Sequence, residues 1–232
     1  MRVSIIIPAL NEAANIALAV ERAFAAGGDE VIVVDGESSD DTARLAREAG
    51  AIVVVSSPGR ARQQNAGANV ASGKVLLFSH ADTWLEEHAI EQIRHMMSDT
   101  VEGSATKNCW GAFQQQIEAP GGLYRWLEWG NAARVRWRGI AYGDQGIWIR
   151  RQLFQDLRGF PETKLLEDLL LSKQLSRVAS PLLLPGPLHV SARRWQRHGV
   201  IRQTFRNWGI LAAYACGVSP DRLATFYRRH DR

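Results

Sequence analysis

The sequence predicts an α/β fold: a mostly parallel central sheet flanked by helices, followed by a helical C-terminal part. Three observations predict it. Four short apolar runs, residues 3–8 (VSIIIP), 30–35 (EVIVVD), 51–56 (AIVVVS) and 74–79 (KVLLFS), alternate with helical patterns over the first hundred residues. The runs are β-branched and nearly continuous, as expected of strands buried on both faces. Each is separated from the next by a segment long enough for a crossover helix, which makes neighbouring strands parallel and aligns their C-terminal ends.

Taken in order, the first run is closed by Pro8, and Asn11-Glu12 leads into a helix through Phe24 that Gly27-Gly28 terminates. Asp35-Gly36 ends the second run. Ser38, Ser39, Asp40 and Asp41 then cap a helix through Ala49. Residues 60–71 read as the third helix and residues 86–97 as the fourth. Beyond that the pattern loosens. Strands are expected within 104–118, a Trp- and Arg-rich amphipathic helix over 123–138, and a turn and strand over 142–150. A helix over 166–177, a strand and loop over 181–187, and two helices at about 200–216 and 220–229 complete the chain. Without a linker or repeat, 232 residues are expected to form one domain, 1–232.

The apolar run at the N-terminus is too short for an export signal, and residues 210–218 fall far short of the roughly 20 needed to span a bilayer. Cys109 and Cys216 lie far apart without metal-ligand spacing, so a reducing, cytoplasmic setting is expected. Charge is unevenly distributed. Residues 1–124 carry 9 Lys and Arg against 16 Asp and Glu, whereas residues 125–232 carry 19 against 8. The second half therefore suits an anionic ligand or a membrane surface, or is simply a solvated arginine-rich surface. No basic run with interleaved aromatics points to nucleic acid. Trp126, Trp129 and Trp137 with their neighbouring arginines fit an acceptor surface, a peripheral membrane contact or an ordinary packed helix.

In open α/β sheets ligands sit beyond the strand C-termini, and polar residues cluster there: Asn11, Glu12, Asp35, Gly36, Arg60 and Asp82. A carboxylate followed by Gly, as at Asp35-Gly36, can accept hydrogen bonds from a ribose or base while the Gly admits the ligand. Neither a G-x-G-x-x-G fingerprint nor a phosphate-binding P-loop is present. Asp82 suits a hard divalent cation, Mg²⁺ or Mn²⁺, bridging a diphosphate, or a helix N-cap. Glu167-Asp168 opens an apolar helix, where acidic residues serve the helix dipole or a general base. Arg193-Arg194-Trp195 offers forked donors for a diphosphate, or a surface patch.

These residues in order resemble the family 2 glycosyltransferases of GT-A fold. The carrying segments are SIIIPALNEAANI, VVDGESSDDT, GRARQQNAGA, LLFSHADT, YGDQGIWIRR and LLEDLLLSKQL, and the sequence is most similar to a short branch sharing HADT, GDQG, ED and SARRW. The resemblance implies a Rossmann-like donor half over 1–100 and an acceptor half over 101–232. It implies transfer of a sugar, a hexose above all, from a nucleoside diphosphate sugar (a UDP-sugar first) to a hydroxyl acceptor, a lipid-like one included. Carried over residue by residue, Asp35 holds the base, and Pro8, Ala9, Asn11, Glu12, Gly36, Arg60, Asn65, His80 and Ala81 line the nucleotide-sugar site. Gly143, Asp144, Gln145, Arg194 and Trp195 line the sugar or acceptor pocket. Asp168 is the general base, ahead of Glu167, giving inversion by single displacement, and Asp82 holds the metal. His80 stands where the family carries the first Asp of its DxD motif, and His189 is a candidate further metal ligand. A nucleotide-sugar-binding protein without catalysis and a nucleotidyltransferase on a related fold are the alternatives.

Overall fold

A computed structural model describes residues 1–98 and 109–229. The chain starts with β1 (Val3–Ala9), α1 (Ile16–Ala25), β2 (Glu30–Asp35), α2 (Thr42–Glu48), β3 (Ile52–Val55), α3 (Arg60–Val70) and β4 (Val75–Phe78). These strands pair in the order β3-β2-β1-β4, all parallel. This is the expected parallel β/α arrangement, with a switch point between β1 and β4. Its alternation is legible in the core: Ile5, Ile7, Val31, Val33 and Leu77 pack on one face, and Ile6, Ile32, Val34, Leu76 and Phe78 on the other.

The chain goes on with β5 (Thr83–Leu85), α4 (Glu91–Ser98), β6 (Trp110–Ile117), α5 (Gly122–Arg138), a 3₁₀ turn (Gly143–Gln145) and β7 (Trp148–Arg150). It continues with α6 (Arg151–Asp156), α7 (Glu167–Leu175), β8 (Leu182–Val190), α8 (Arg193–His198), α9 (Val200–Ala215) and α10 (Pro220–Arg229). The described strands form one eight-stranded sheet, order β3-β2-β1-β4-β7-β6-β8-β5. Four of its pairings are parallel, but β4–β7, β6–β7 and β5–β8 are antiparallel, so the second half is mixed where the first is uniform.

Two expectations shift. The helix expected over 86–97 starts only at Glu91, because residues 83–85 pair with β8. His88 then takes a positive φ of 61° so that the His88 and Ile90 N–H groups can reach the carbonyls of Ala25 and Ala26. The helix expected to follow Asn11-Glu12 starts at Ile16, since Asn11 adopts φ 54° in a turn. Of the strands expected within 104–118, residues 104–108 lie outside the described residues. No helix among the described residues is long and apolar enough to cross a membrane.

Helix α3 lies hard against the sheet. A Cβ on Gly67 would stand 2.6 Å from Ile6 Cγ2 and 2.9 Å from Val34 Cγ2, distances no packed side chain tolerates. From this close position Gln63 Nε2 donates to the carbonyls of both Ala9 and Val34, 2.8 Å each, tying the ends of β1 and β2 together. At the other end of the strands, buried Glu30 accepts hydrogen bonds from Ser4 and from the Ser72 and Gly73 N–H groups. Burial alone pushes its carboxyl up, but these donors hold it below the usual range.

Gly67→Ala is therefore expected to destabilise the protein by about 1–3 kcal/mol through overpacking. Gly130→Ala, at a helical site with open space around its Cβ, should stabilise by about 0.5–1 kcal/mol. Urea unfolding of both variants checks the pair.

Candidate active site

The sheet's switch point opens into a cleft of about 350 Å³. Glu12, from the loop after β1, and His80, Ala81, Asp82 and Thr83, after β4, form one side. Arg60 opens α3 at its base. Tyr142 and Asp144 come from the turn before β7, and Leu165 to Asp168 from the entry to α7. Val190, Ser191, Arg193 and Trp195 follow β8, and Gln203, Asn207, Ile210 and Leu211 close the cleft from α9.

The loops after β1 and β2 are laced into one unit. The Asn11 N–H donates to Ser38 Oγ and the Ser39 N–H to Asn11 Oδ1, 2.9 Å each; the Glu12 N–H donates to Thr42 Oγ1 at 2.8 Å. Asp40, rather than Asp41 at the cap position, accepts the Thr42 N–H at 3.0 Å. Asp35, paired with Ala9 at the end of β1, is buried. Its Oδ2 accepts the Ser38 N–H at 3.1 Å, but its Oδ1 has no hydrogen-bond partner. A buried, unpaired carboxylate oxygen at a strand end is costly in isolation and suits a ligand that brings its own donor.

At the opposite side Asp168 Oδ2 accepts the Gly143 N–H and Oδ1 the Leu169 N–H, both at 2.7 Å. Gly143 is packed so closely that an added Cβ would stand 2.9 Å from His80 Nε2 and 3.5 Å from Asp168 Oδ2. The GDQG turn thus brings the β4 end and the α7 entry together. Neighbouring Glu167 is buried, with Arg60 Nη1 3.6 Å from its Oε1. Burial first, and then the charge of Asp168, raises its carboxyl above the ordinary value, and Arg60 offsets this only in part. Leu166, at the helix's N-cap, sits at φ 66°, a left-handed conformation that costs a branched residue about 1–2 kcal/mol.

Five carboxylates, Glu12, Asp82, Asp144, Glu167 and Asp168, line the cleft against the guanidiniums of Arg60 and Arg193, so a diphosphate entering it needs a counter-cation. Asp82 is exposed on the wall, and its carboxylate makes no hydrogen bond or ion pair with the described residues. No group of three His, Cys, Asp or Glu among those residues could hold a metal by itself. That donor set fits Mg²⁺ or Mn²⁺, which bind through one or two carboxylates and take their other ligands from phosphate and water.

Several expected site residues have other partners. His189 does not face Asp82. It alternates along β8 with Val190, which does line the cleft, so the pleat turns the imidazole away. Its Nδ1 lies 2.7 Å from Glu118 Oε1, its Nε2 3.4 Å from Glu86 Oε1, and its ring stacks on Trp84. Asn65 does not reach the cleft with a free amide: Nδ2 donates to the Phe160 carbonyl and Oδ1 accepts the Phe160 N–H, both at 2.9 Å. Gln145 is fully buried, and its Oε1 accepts from Arg134 Nη2 (2.6 Å) and the Tyr142 N–H (3.1 Å). The space a Gly36 Cβ would fill is taken by the Gln63 carboxamide, so Gly36 serves packing. Pro8 and Ala9 lie outside the cleft lining, and both hydrogen bonds to the Ala9 carbonyl come from within the fold, from Gln63 Nε2 and the Gly36 N–H. The Arg194 side chain lies outside the described residues; Arg193, its neighbour in the Arg193-Arg194-Trp195 segment, lines the cleft with Trp195.

Two further features escaped the sequence. Half-buried Arg134 of α5 lies 3.7 Å over the Tyr142 ring and bonds Asn131 and Gln145, bracing the turn that carries Gly143; burial first lowers its guanidinium, and the nearby Tyr142, Asp144 and Asp168 act in the opposite direction. The inner face of α9 contributes Gln203 and Asn207 to the cleft. Nothing in their spacing distinguishes them from the solvent face of an ordinary helix. Trp126, Trp129 and Trp137 are exposed on α5 and absent from the cleft lining.

Comparison with known proteins places this architecture. Solved structures with the same fold include residues 1–349 of S. aureus TarS (19% identity, TM-score 0.60, covering 83% of this chain and 61% of that one), also solved with UDP-GlcNAc. Glucosyl-3-phosphoglycerate synthase from Mycobacterium tuberculosis, in complex with Mn²⁺, UDP and glucosyl-3-phosphoglycerate, matches at 20% identity and TM-score 0.56 over 82% of this chain and 70% of that one. The mannosyltransferase PcManGT from Pyrobaculum calidifontis, in complex with GDP-Man and Mn²⁺, matches at 17% identity and TM-score 0.57 over 82% and 56%. The chain thus spans about three fifths of the TarS fragment. No curated protein sequence matches it. The family model for glycosyl transferase family 2 matches residues 4–157, so the chain belongs to that family.

Proposed function

We propose that this protein transfers a hexosyl group from a nucleoside diphosphate sugar, a UDP-sugar first, to an acceptor hydroxyl with inversion at the anomeric carbon. The observation that carries the reading is the Asp168 carboxylate, fixed on the cleft wall by the Gly143 N–H and facing the cleft that Asp82 also lines. A carboxylate has about four acceptor positions. Two are taken by backbone N–H groups, leaving room for an acceptor hydroxyl.

In the proposed step the acceptor O–H proton passes to Asp168 while its oxygen forms the new bond to the anomeric carbon. The bond from that carbon to the diphosphate oxygen breaks, and the nucleoside diphosphate leaves with the electron pair. Displacement on one face inverts the centre. Arg60 and Arg193 supply forked donors for charge developing on the leaving group. Asp35 Oδ1 is suited to an imide N–H such as that of uracil. A hard divalent cation held by Asp82 would supply charge neutralisation at the diphosphate. The likeness to proteins solved with UDP-GlcNAc, UDP with Mn²⁺ and GDP-Man with Mn²⁺ supports this donor class.

Asp168→Asn should lower kcat by roughly 10²–10⁴-fold with donor affinity nearly intact; turnover at the wild-type rate would remove Asp168 from the mechanism. Glu167→Gln should keep most of the transfer activity. It should also be more stable than wild type at neutral pH, because a carboxyl with a raised folded-state value is penalised when ionised. That gain should disappear as the pH falls below the ordinary glutamate value of 4.5. Thermal shifts with UDP-, GDP- and dTDP-sugars, with and without Mn²⁺, test the donor and the metal together. Asp82→Ala should abolish the Mn²⁺-dependent part of the shift, and an unchanged Mn²⁺ response would overturn the metal assignment.

A further inference from the structure

Helix α9 turns a mixed face, with Ile210 and Leu211 beside polar residues, to the cleft and large apolar side chains outward. Its inner face carries Gln203, only 2% exposed, whose Nε2 donates to Asn207 Oδ1 at 3.1 Å; both line the cleft. Its outer face carries Ile201, Phe205 and Trp208, which are 61%, 64% and 52% exposed. The spacing i, i+4, i+7 sets these three side chains in one row, and Phe205 and Trp208 meet edge to face with ring centroids 5.6 Å apart. Single exposed apolar residues are ordinary, but a contiguous row of large ones marks a contact surface.

The charge around the row selects its partner. Residues 193–218 contain Arg193, Arg194, Arg197, Arg202 and Arg206 and no Asp or Glu. Aromatic and branched apolar side chains on one face of a helix, within a segment whose only charges are positive, match the apolar boundary and anionic headgroups of a bilayer surface. No described helix is long and apolar enough to span, so such a contact lies in the membrane plane. We propose that α9 docks the protein on anionic bilayers through Ile201, Phe205 and Trp208. The inner face of the same helix walls the cleft, so docking sets the cleft about one helix diameter, roughly 10 Å, from the headgroups. This surface is independent of the transfer reading, and vesicle binding without any donor tests it separately.

The full chain is expected to co-sediment with vesicles of mixed phosphatidylglycerol and phosphatidylcholine, to bind phosphatidylcholine alone far less, and to dissociate as salt rises. Phe205→Ser with Trp208→Ser should reduce partitioning about tenfold or more with an unchanged melting temperature. If that variant fails to fold, Trp208→Phe keeps the apolar row and reports instead. Brominated-chain lipid should quench part of the wild-type tryptophan emission, and the variant should lose that part. Absence of vesicle binding, equal binding to neutral and anionic vesicles, or quenching unaffected by Trp208→Phe would each overturn the proposal. So would a wild-type dimer, made monomeric by the double substitution, that binds no vesicles; the row would then be a self-association surface.

Discussion

The close approach of α3 to the sheet is the constraint on which the site depends. Gly67 permits it by having no side chain where Ile6 and Val34 press. Gln63 can then reach the carbonyls of Ala9 and Val34, and Asn65 the backbone of Phe160. The first contact fixes the ends of β1 and β2, from which the two interlaced loops spring. The second fixes the segment entering α7, supported by the Phe78, Phe154 and Phe160 rings beneath it. One helix, seated by one glycine, thereby holds both sides of the cleft in register. The motif that carries the family resemblance here is largely mechanical.

The acidic side of the cleft is braced by a different network. Asp168 is held by a backbone N–H of the 143–145 turn. That turn is held in its place by Gln145, and Gln145 by Arg134. Half-buried Arg134 lies against the Tyr142 ring, so a ring face and hydrogen bonds share in balancing its charge. Such linked polar groups define one geometry because breaking any one of these bonds would leave a largely buried group unpaired. The carboxylate facing the cleft is thus positioned from α5, a helix whose other side displays exposed tryptophans.

Much of this was legible in the residues, for definable reasons. Strands buried on both faces write themselves as β-branched runs, and the parallel part of the sheet follows from four of them. Asp82, Arg60, Glu12 and the Glu167–Asp168 pair come to one cleft because each stands at the end of a strand or the start of a helix. What stayed hidden depends on pairing across the chain. His189 is turned away by the pleat of β8, whose phase the Pro-containing run 182–190 does not reveal. Asn65 and Gln145 are polar residues of the kind that bind ligands, but the Phe160 backbone claims the Asn65 amide, and Arg134 with the Tyr142 N–H claims the Gln145 side-chain oxygen. Strand β5 has three residues and no pattern of its own; it exists because β8 offers an edge. The family model likewise ends at residue 157, before the carboxylates of α7 and the cleft wall built by α8 and α9.

Leu166 gives the cleft an unusual economy. Glycine would adopt φ 66° without strain, yet the position carries a side chain that lines the cavity. A branched residue kept in a left-handed turn immediately before two carboxylates trades conformational ease for an apolar surface where water would otherwise stand. Of the pair it precedes, Glu167 is buried and Asp168 half-buried beside this apolar wall. A glycine there would relieve the backbone but leave that part of the wall uncovered, so the leucine ties the strain of the turn to the shape of the cleft.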